Sequence, residues 1–325
     1  MPLSLEEYAT WLDQRDDLYW PAPPKVEPAK AKPHLRRLRD IRIITFNTYG
    51  TLLAIRDGEL HLVHPNAFVM DTALDKTIQE FKMWQYMSRK PGKPSEYMLQ
   101  IYRQILDELQ MRPAGQERYP EVRVNEVWER IVKRLLKKEY PIDTEFYGSL
   151  NRFAECVAYF FHRSLQGVGP EPGALQTLRT LRQWGYTLGI IGDGQVFTRL
   201  QLLRALRRQG KLGCLEELFD PELIAISAEV GARRPSETLF RRVLSRVAER
   251  GLNPTNVLHV GCDVERDIAP AKRLRMRTAL YAGDRAALRA SRGQLEDKSM
   301  RPDLLLSELP QLALCLKDAA PNRLS

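Results

Sequence analysis

The 325-residue sequence predicts an α/β protein: a doubly wound, mostly parallel, Rossmann-like sheet with an inserted α-helical segment. Three observations predict it. Short apolar, β-branched runs recur through the second half, each followed by an amphipathic stretch of about 10–15 residues, the pattern of parallel strands joined by helices. One more such run stands apart near Ile43, separated from the rest by a long stretch of helical period. The composition, 43% hydrophobic and 28% charged, is that of a globular chain long enough to bury a substantial core.

Taken in order, residues 1–20 carry Leu3, Leu5, Tyr8, Trp11 and Leu12 at spacings that predict a short amphipathic helix. The stretch PAPPKVEPAKAKPH (21–34) reads as an extended linker, and Trp11, Tyr19 and Trp20 are expected to dock the 1–40 arm on the main body. The alternative for these aromatics is a partner-binding role. IRIITF (41–46) is the first strand and ends in a turn at Tyr49-Gly50. Residues 56–168 read as helices, with segments TIQEFKMWQYM, SEYMLQIYRQILDELQ, VNEVWERIVKRLLKKE and SLNRFAECVAYFFHRSL; Val127, Ile131 and Leu135 show the spacing. From residue 172 helices alternate with strands at 186–192, 223–227, 256–261 and 277–281, and a last strand follows at 303–307. The expected organisation is therefore an arm (1–40), a sheet core (41–55 with 169–317), a helical insertion (56–168) and a tail (318–325).

Several function classes are set aside. No apolar run reaches the ~20 residues of a membrane span, and the N-terminus lacks the basic-then-apolar layout of a secretory signal. Cys156, Cys214, Cys262 and Cys315 are scattered, which predicts free thiols in a reducing, cytoplasmic setting. The net charge of +9 raises the question of nucleic acid. Yet Arg199, Arg204, Arg207, Arg208, Arg241, Arg242 and Arg246 alternate with apolar residues at helical spacing, the pattern of solvated helix faces. His61 and His64, three apart, read as surface histidines rather than metal ligands.

In a parallel sheet the functional crevice lies beyond the carboxyl ends of the strands. Those ends carry Asn47-Thr48-Tyr49-Gly50, Gly192-Asp193-Gly194, Arg233-Arg234, and Gly261-Cys262-Asp263 with Asp267. Small residues and exposed amides in such turns, beside an arginine, suit a phosphate or carboxylate ligand.

The same segments resemble the haloacid dehalogenase-like hydrolases. ITFNTYGTLL (44–53) resembles that family's first motif, LGIIGDG (188–194) its second, VGARRPSETLF (230–240) its third, and VLHVGCDVERDIAPAKRLRMRTA (257–279) its fourth, in the family's order. RPDLLLSELPQL (301–312) resembles its closing strand and helix, and the insertion lies where helical-cap subfamilies carry theirs. The resemblance implies an aspartate nucleophile where this chain has Asn47, and a carboxamide oxygen is neutral and a poor nucleophile. It places Tyr49 at the phosphatases' general acid, a tyrosine shared with dehalogenase-like members. Gly192 stands for a serine or threonine, and Arg234 (or Arg233, one register away) for a lysine. Cys262 replaces an acid that would ligate magnesium, leaving Asp263 and Asp267; sulfur suits Mg²⁺ poorly, so metal binding is expected to be weakened. Cys262 and His259 are expected to pack rather than react. Thr48, Gly50, Asp193, Gly194 and Arg233 remain as ligand contacts. The reading is a family member with lost or much reduced covalent hydrolysis, taking a small anion or a protein partner. The alternatives are an active hydrolase with a non-standard site and a basic, nucleic-acid-associated protein.

Overall fold

The computed structural model describes residues 2–87, 92–111, 115 and 117–316. The tail expected at 318–325 lies outside the described residues. One six-stranded sheet has the order β5-β4-β1-β6-β7-β8, formed by Ile43–Phe46 (β1), Thr187–Gly192 (β4), Ile224–Ile226 (β5), Val257–Gly261 (β6), Arg277–Tyr281 (β7) and Leu304–Leu306 (β8). All its pairings are parallel, and β1 lies between β4 and β6, with Thr45 opposite both Gly189 and His259. Successive strands thus depart to either side of β1, and the loops after β1, β4 and β6 open at one switch point. Helices Ala174–Gln183 (α7) and Thr198–Arg207 (α8) bury Leu178, Leu181, Leu202 and Leu206 with Ile44 and Phe46 of β1 in one core. Glu237–Glu249 (α10) and Ala269–Arg273 (α11) close the other face around Ile43, Phe240 and Val257.

Two short strands went unpredicted. Leu53–Ile55 (β2) and Val168–Pro170 (β3) pair antiparallel, and the helical segment lies between them. That segment comprises Ala67–Glu80 (α2), Pro94–Gln110 (α3), Val124–Leu136 (α4), Thr144–Tyr147 (α5) and Leu150–Leu165 (α6). Asn66 and Ser149 start α2 and α6 by accepting the amides of Val69 and Arg152. The helix expected over TIQEFKMWQYM instead ends at Glu80; Lys82 turns left-handed at φ 49°, and only a single 3₁₀ turn follows. The segment has its own apolar core, in which Tyr102, Trp128 and Phe161 meet at 5.2–5.6 Å between ring centres.

The arm folds against that core. Helix Leu5–Asp13 (α1) starts at a reciprocal Ser4–Glu7 cap and buries Tyr8, Ala9 and Leu12. Trp11 stacks on Tyr8 and Trp20 meets Phe160 edge-on, as expected of docking aromatics, but Tyr19 is 82% exposed. Pro21–Pro23 run over β3, where a Cβ on Gly167 would fall 2.2 Å from the Ala22 carbonyl oxygen. Farther along, His34 exchanges two backbone hydrogen bonds with Leu305 of β8.

Candidate active-site crevice

The loop after β1 carries Asn47, fully buried. Its carboxamide oxygen accepts the Thr48 amide at 2.7 Å, and its nitrogen donates to the Tyr49 carbonyl at 2.8 Å. Both ends of the side chain are therefore held within its own loop. Gly50, at φ 76°, completes the turn, and a Cβ there would strike Ala287 and the Cys262 sulfur. The Tyr49 hydroxyl reaches Thr198 at 2.9 Å and also donates to Gln201, both on α8. Burial pushes that phenol far above its usual range.

After β4, a Cβ on Gly192 would lie 2.7 Å from the Asn47 amide oxygen and 3.0 Å from the Thr48 nitrogen. The glycine leaves room for the carboxamide as it is turned here. The turn amides expected to cradle an anion are partly engaged: Gly194 donates to Ser227 Oγ at 2.9 Å and Gln195 to Thr198 Oγ1 at 2.7 Å. This corrects the expectation for Gly194, whose N–H is not free for a ligand. Asp193 also faces inward, accepting the Arg234 amide at 2.8 Å and its Nη2 at 3.1 Å.

Arg234, rather than Arg233, points into the crevice: Arg233 is exposed, whereas Arg234 is buried between Asp193 and Asp267. Its Nη1 donates to Asp267 Oδ1, while its Nε is buried without a partner. Asp267 is wholly buried, and its Oδ2 accepts the amides of Cys262 at 2.9 Å and Asp263 at 3.0 Å. Burial works to raise the Asp267 carboxyl, but Arg234 with His259 holds it down at about 2. His259 lies beneath, with Nδ1 3.0 Å from Thr45 Oγ1 and Nε2 3.6 Å from Asp267. The Cys262 thiol is buried, and burial together with Asp267 pushes it up to about 12. It is a packed thiol rather than a thiolate. Asp263 accepts the Glu265 and Arg266 amides, capping the π-helical turn Val264–Ile268.

A cavity of about 390 Å³ opens above these groups, lined by Asn47, Arg234, Cys262 and Asp263 and by the exposed Arg266 and Arg289. A model of the haloacid dehalogenase-like hydrolases matches residues 94–281, over half the chain. The chain belongs to that family. The matched range begins after the Asn47 loop and includes the Gly192, Arg234 and Cys262 segments. Glyceraldehyde 3-phosphate phosphatase of Pyrococcus furiosus is 31% identical over 142 residues, covering 43% of this chain and 52% of that protein. The enzyme of the same name from Methanopyrus kandleri is 28% identical over 150 residues, covering 46% and 55%. The chain thus spans about half the length of the curated relatives it matches. The solved structure of a 2-haloacid dehalogenase from Pseudomonas syringae pv. Tomato DC3000 covers 86% of this chain and 99% of its own, with TM-score 0.52 and 22% identity. That likeness concerns the fold.

In this haloacid dehalogenase-like chain, magnesium is the metal the family implies, and of the acids that would hold it Asp263 spends only Oδ1 on its two amide bonds. Asp267 has given one oxygen to Arg234 and the other to two amides, Asn47 offers a neutral amide already bonded, and Cys262 presents sulfur. Among the described residues no group of three or more His, Cys, Asp or Glu is placed to hold a metal ion. His61 and His64 instead face Asp57 at 3.4 and 4.0 Å, and His64 is buried, not a surface residue. Sequence reasoning also missed a role for Arg204 and Arg208, which line a cavity under the arm together with Arg163. Arg241 and Arg246 do lie on solvated helix faces, paired with Glu237 and Glu249. Among the described residues no helix is long and apolar enough to cross a membrane.

Proposed function

We propose that this member of the haloacid dehalogenase-like hydrolases has lost most covalent hydrolysis and acts by binding. Its first occupant is a small anion, and a protein partner is the alternative. The single observation that carries the reading is Arg234, seated between Asp193 and Asp267 with both Asp267 oxygens engaged. Such a centre sets one cation against two carboxylates, a net charge of −1, and leaves neither Asp267 oxygen free to act beside Asn47. A lost nucleophile in another covalent enzyme costs around a millionfold in kcat, which sets the scale. Arg289 supports the anion: it donates to the carbonyls of Ala286, Leu288 and Asp57 and has no carboxylate partner among the described residues. In this reading helices α2–α6 act as the cap over the crevice, magnesium affinity is low, and the four free cysteines suit a cytoplasmic setting. The pairing of the α10 arginines with nearby acids supports a solvated face rather than a track for a phosphate backbone.

The second reading is phosphate-ester hydrolysis, favoured by the relatives named glyceraldehyde 3-phosphate phosphatase. In it Asp193, Asp263 or Asp267 would orient water or metal. The test is a magnesium-containing panel of glyceraldehyde 3-phosphate, p-nitrophenyl phosphate and 2-chloropropionate. The wild-type chain is compared with the variant Asn47→Asp, Cys262→Asp, Arg234→Lys. No wild-type turnover above buffer is expected; magnesium-dependent turnover by the wild type would overturn the proposal.

A further inference from the structure

We propose that the open cavity between the N-terminal arm, α6 and α8 is a second ligand site, specific for a small molecule bearing a phosphate dianion. The cavity measures about 690 Å³, within the range of small-molecule sites, and is distinct from the crevice. Its floor is cationic. Arg163 of α6 and Arg204 of α8 converge on the two oxygens of Asp13, and Arg163 does so at 2.6 Å. Arg208 holds only the Val168 carbonyl, at 3.3 Å, and has no carboxylate partner among the described residues. Arg207 adds nothing, because its donors go to Glu6 and to the carbonyls of Leu212 and Gly213.

Two guanidinium groups therefore share one carboxylate and a third has none, a local excess of two positive charges. The Nη1 of Arg163 is buried with no hydrogen-bond partner. Trp20 closes the arm side, with Arg163 4.2 Å and Lys76 4.6 Å from its ring centre, so a fourth cation stands nearby. Like charges gathered in a partly enclosed space repel, and an unpaired buried donor is costly. A phosphate dianion matches the excess in charge, and its oxygens match the planar fork of arginine. Burial opposes the ionisation of Asp13, but its two arginines hold the carboxyl below the usual range, so it stays a competing anion at neutral pH.

The site also touches the crevice. Gln201 lines this cavity while accepting the Tyr49 hydroxyl, so an occupant lies one side chain from the loop that carries Asn47. An occupant would also pin the arm where Pro21–Pro23 cross β3.

The test uses calorimetric titration of the full chain with inorganic phosphate and pyrophosphate, with chloride as the control anion. Saturable binding is expected, stronger for pyrophosphate. Arg208→Gln, at an exposed residue outside the Asp13 cluster, is expected to weaken it about tenfold or more. Asp13→Asn removes the competing carboxylate and is expected to tighten it. Tyr8, Ala9 and Leu12 keep α1 anchored in that variant. A second readout is protease cleavage within residues 14–34, which pyrophosphate should slow in the wild type and not in Arg208→Gln. The inference is overturned if the wild type shows no saturable binding. It is equally overturned if both variants bind as the wild type does, which would place the anion elsewhere.

Discussion

Replacing Arg234 by methionine removes the one cation between two carboxylates, and the structure gives both the size and the pH signature of the effect. The Arg234 side chain is 8% exposed, and Asp267 is 0% exposed. Without the guanidinium, Asp267 keeps the two amide donors on Oδ2 but loses its counter-charge. Breaking a buried pair from one side costs about 3–5 kcal/mol, and the surviving amides argue for the lower end, about 3. The pH dependence is independent of that figure. Burial raises and Arg234 lowers the Asp267 carboxyl, which settles at about 2. Against an unfolded value near 3.9, this depression contributes roughly 2–3 kcal/mol. Because the folded value is the lower one, the contribution is fully present above about pH 4 and is lost as pH falls toward 2. In Arg234→Met burial is opposed only by His259 and the two amides, so the carboxyl rises and the variant loses less stability in acid than the wild type does. The gap between the two proteins should thus be widest near pH 7 and shrink on acidification. Urea unfolding followed by tryptophan fluorescence across that range measures it. Adding Asp267→Asn to Arg234→Met should recover more than half the loss, because it removes the stranded charge. The reasoning is refuted if Arg234→Met unfolds within about 1 kcal/mol of the wild type near pH 7, or if the gap is flat with pH.

Other outcomes follow from single contacts. Asn47→Asp sets a carboxylate oxygen against the Tyr49 carbonyl in place of a donor, and is expected to lower stability by about 1–3 kcal/mol in chemical denaturation. Gly192→Ser forces a Cβ to within 2.7 Å of the Asn47 oxygen, and a similar loss of about 1–3 kcal/mol is expected by the same assay. Burial pushes Glu121 up to about 7, so its folded state holds the proton longer than the unfolded one. Stability should therefore fall as pH rises from about 4.5 to 7, and Glu121→Gln should flatten that fall. Thiol titration of the native chain should label exposed Cys214 quickly, with Cys156, Cys262 and Cys315 reacting only on unfolding.

The strands of the main sheet were legible because parallel strands are buried on both faces. IITF, TLGIIG and VLHVG are continuous apolar runs, and every residue of IITF and VLHVG is buried. β2 and β3 were not legible. Each is three residues long, one carries Gly169 and Pro170, and their pairing joins Ile55 to Val168 across the whole helical segment. The end of α2 was misplaced because apolar Phe81, Met83 and Met87 continue a helical pattern that Lys82 breaks in the backbone alone. The strand-end residues were found, but not their state. Arg234 lies 41 residues from Asp193 and 33 from Asp267, and only the strand order brings the three together. The occupation of the Gly194 amide by Ser227 is equally a product of strand neighbours. The arginines of α8 have the spacing of a solvated face, and nothing local signals that the arm runs beside Arg204 and ties it to Asp13.

The substitutions at the strand ends behave as one change rather than four. The Asn47 nitrogen needs the Tyr49 carbonyl, its oxygen points at the space that Gly192 leaves open, and its nitrogen lies 3.8 Å from the Cys262 sulfur. Cys262 in turn packs where a Cβ on Gly50 would collide with it. Arg234 is already one cation against Asp193 and Asp267, so neutral side chains at positions 47 and 262 keep that excess of negative charge from growing. Asn47→Asp with Cys262→Asp would add two carboxylates around one guanidinium, in a space where like charges raise each other's pKa. The double variant is therefore expected to fold less stably than either single one, by more than the sum of their separate costs. Millimolar magnesium should restore part of that loss by supplying the missing positive charge. A double variant whose destabilisation is merely additive, and indifferent to magnesium, would show that these positions drifted independently.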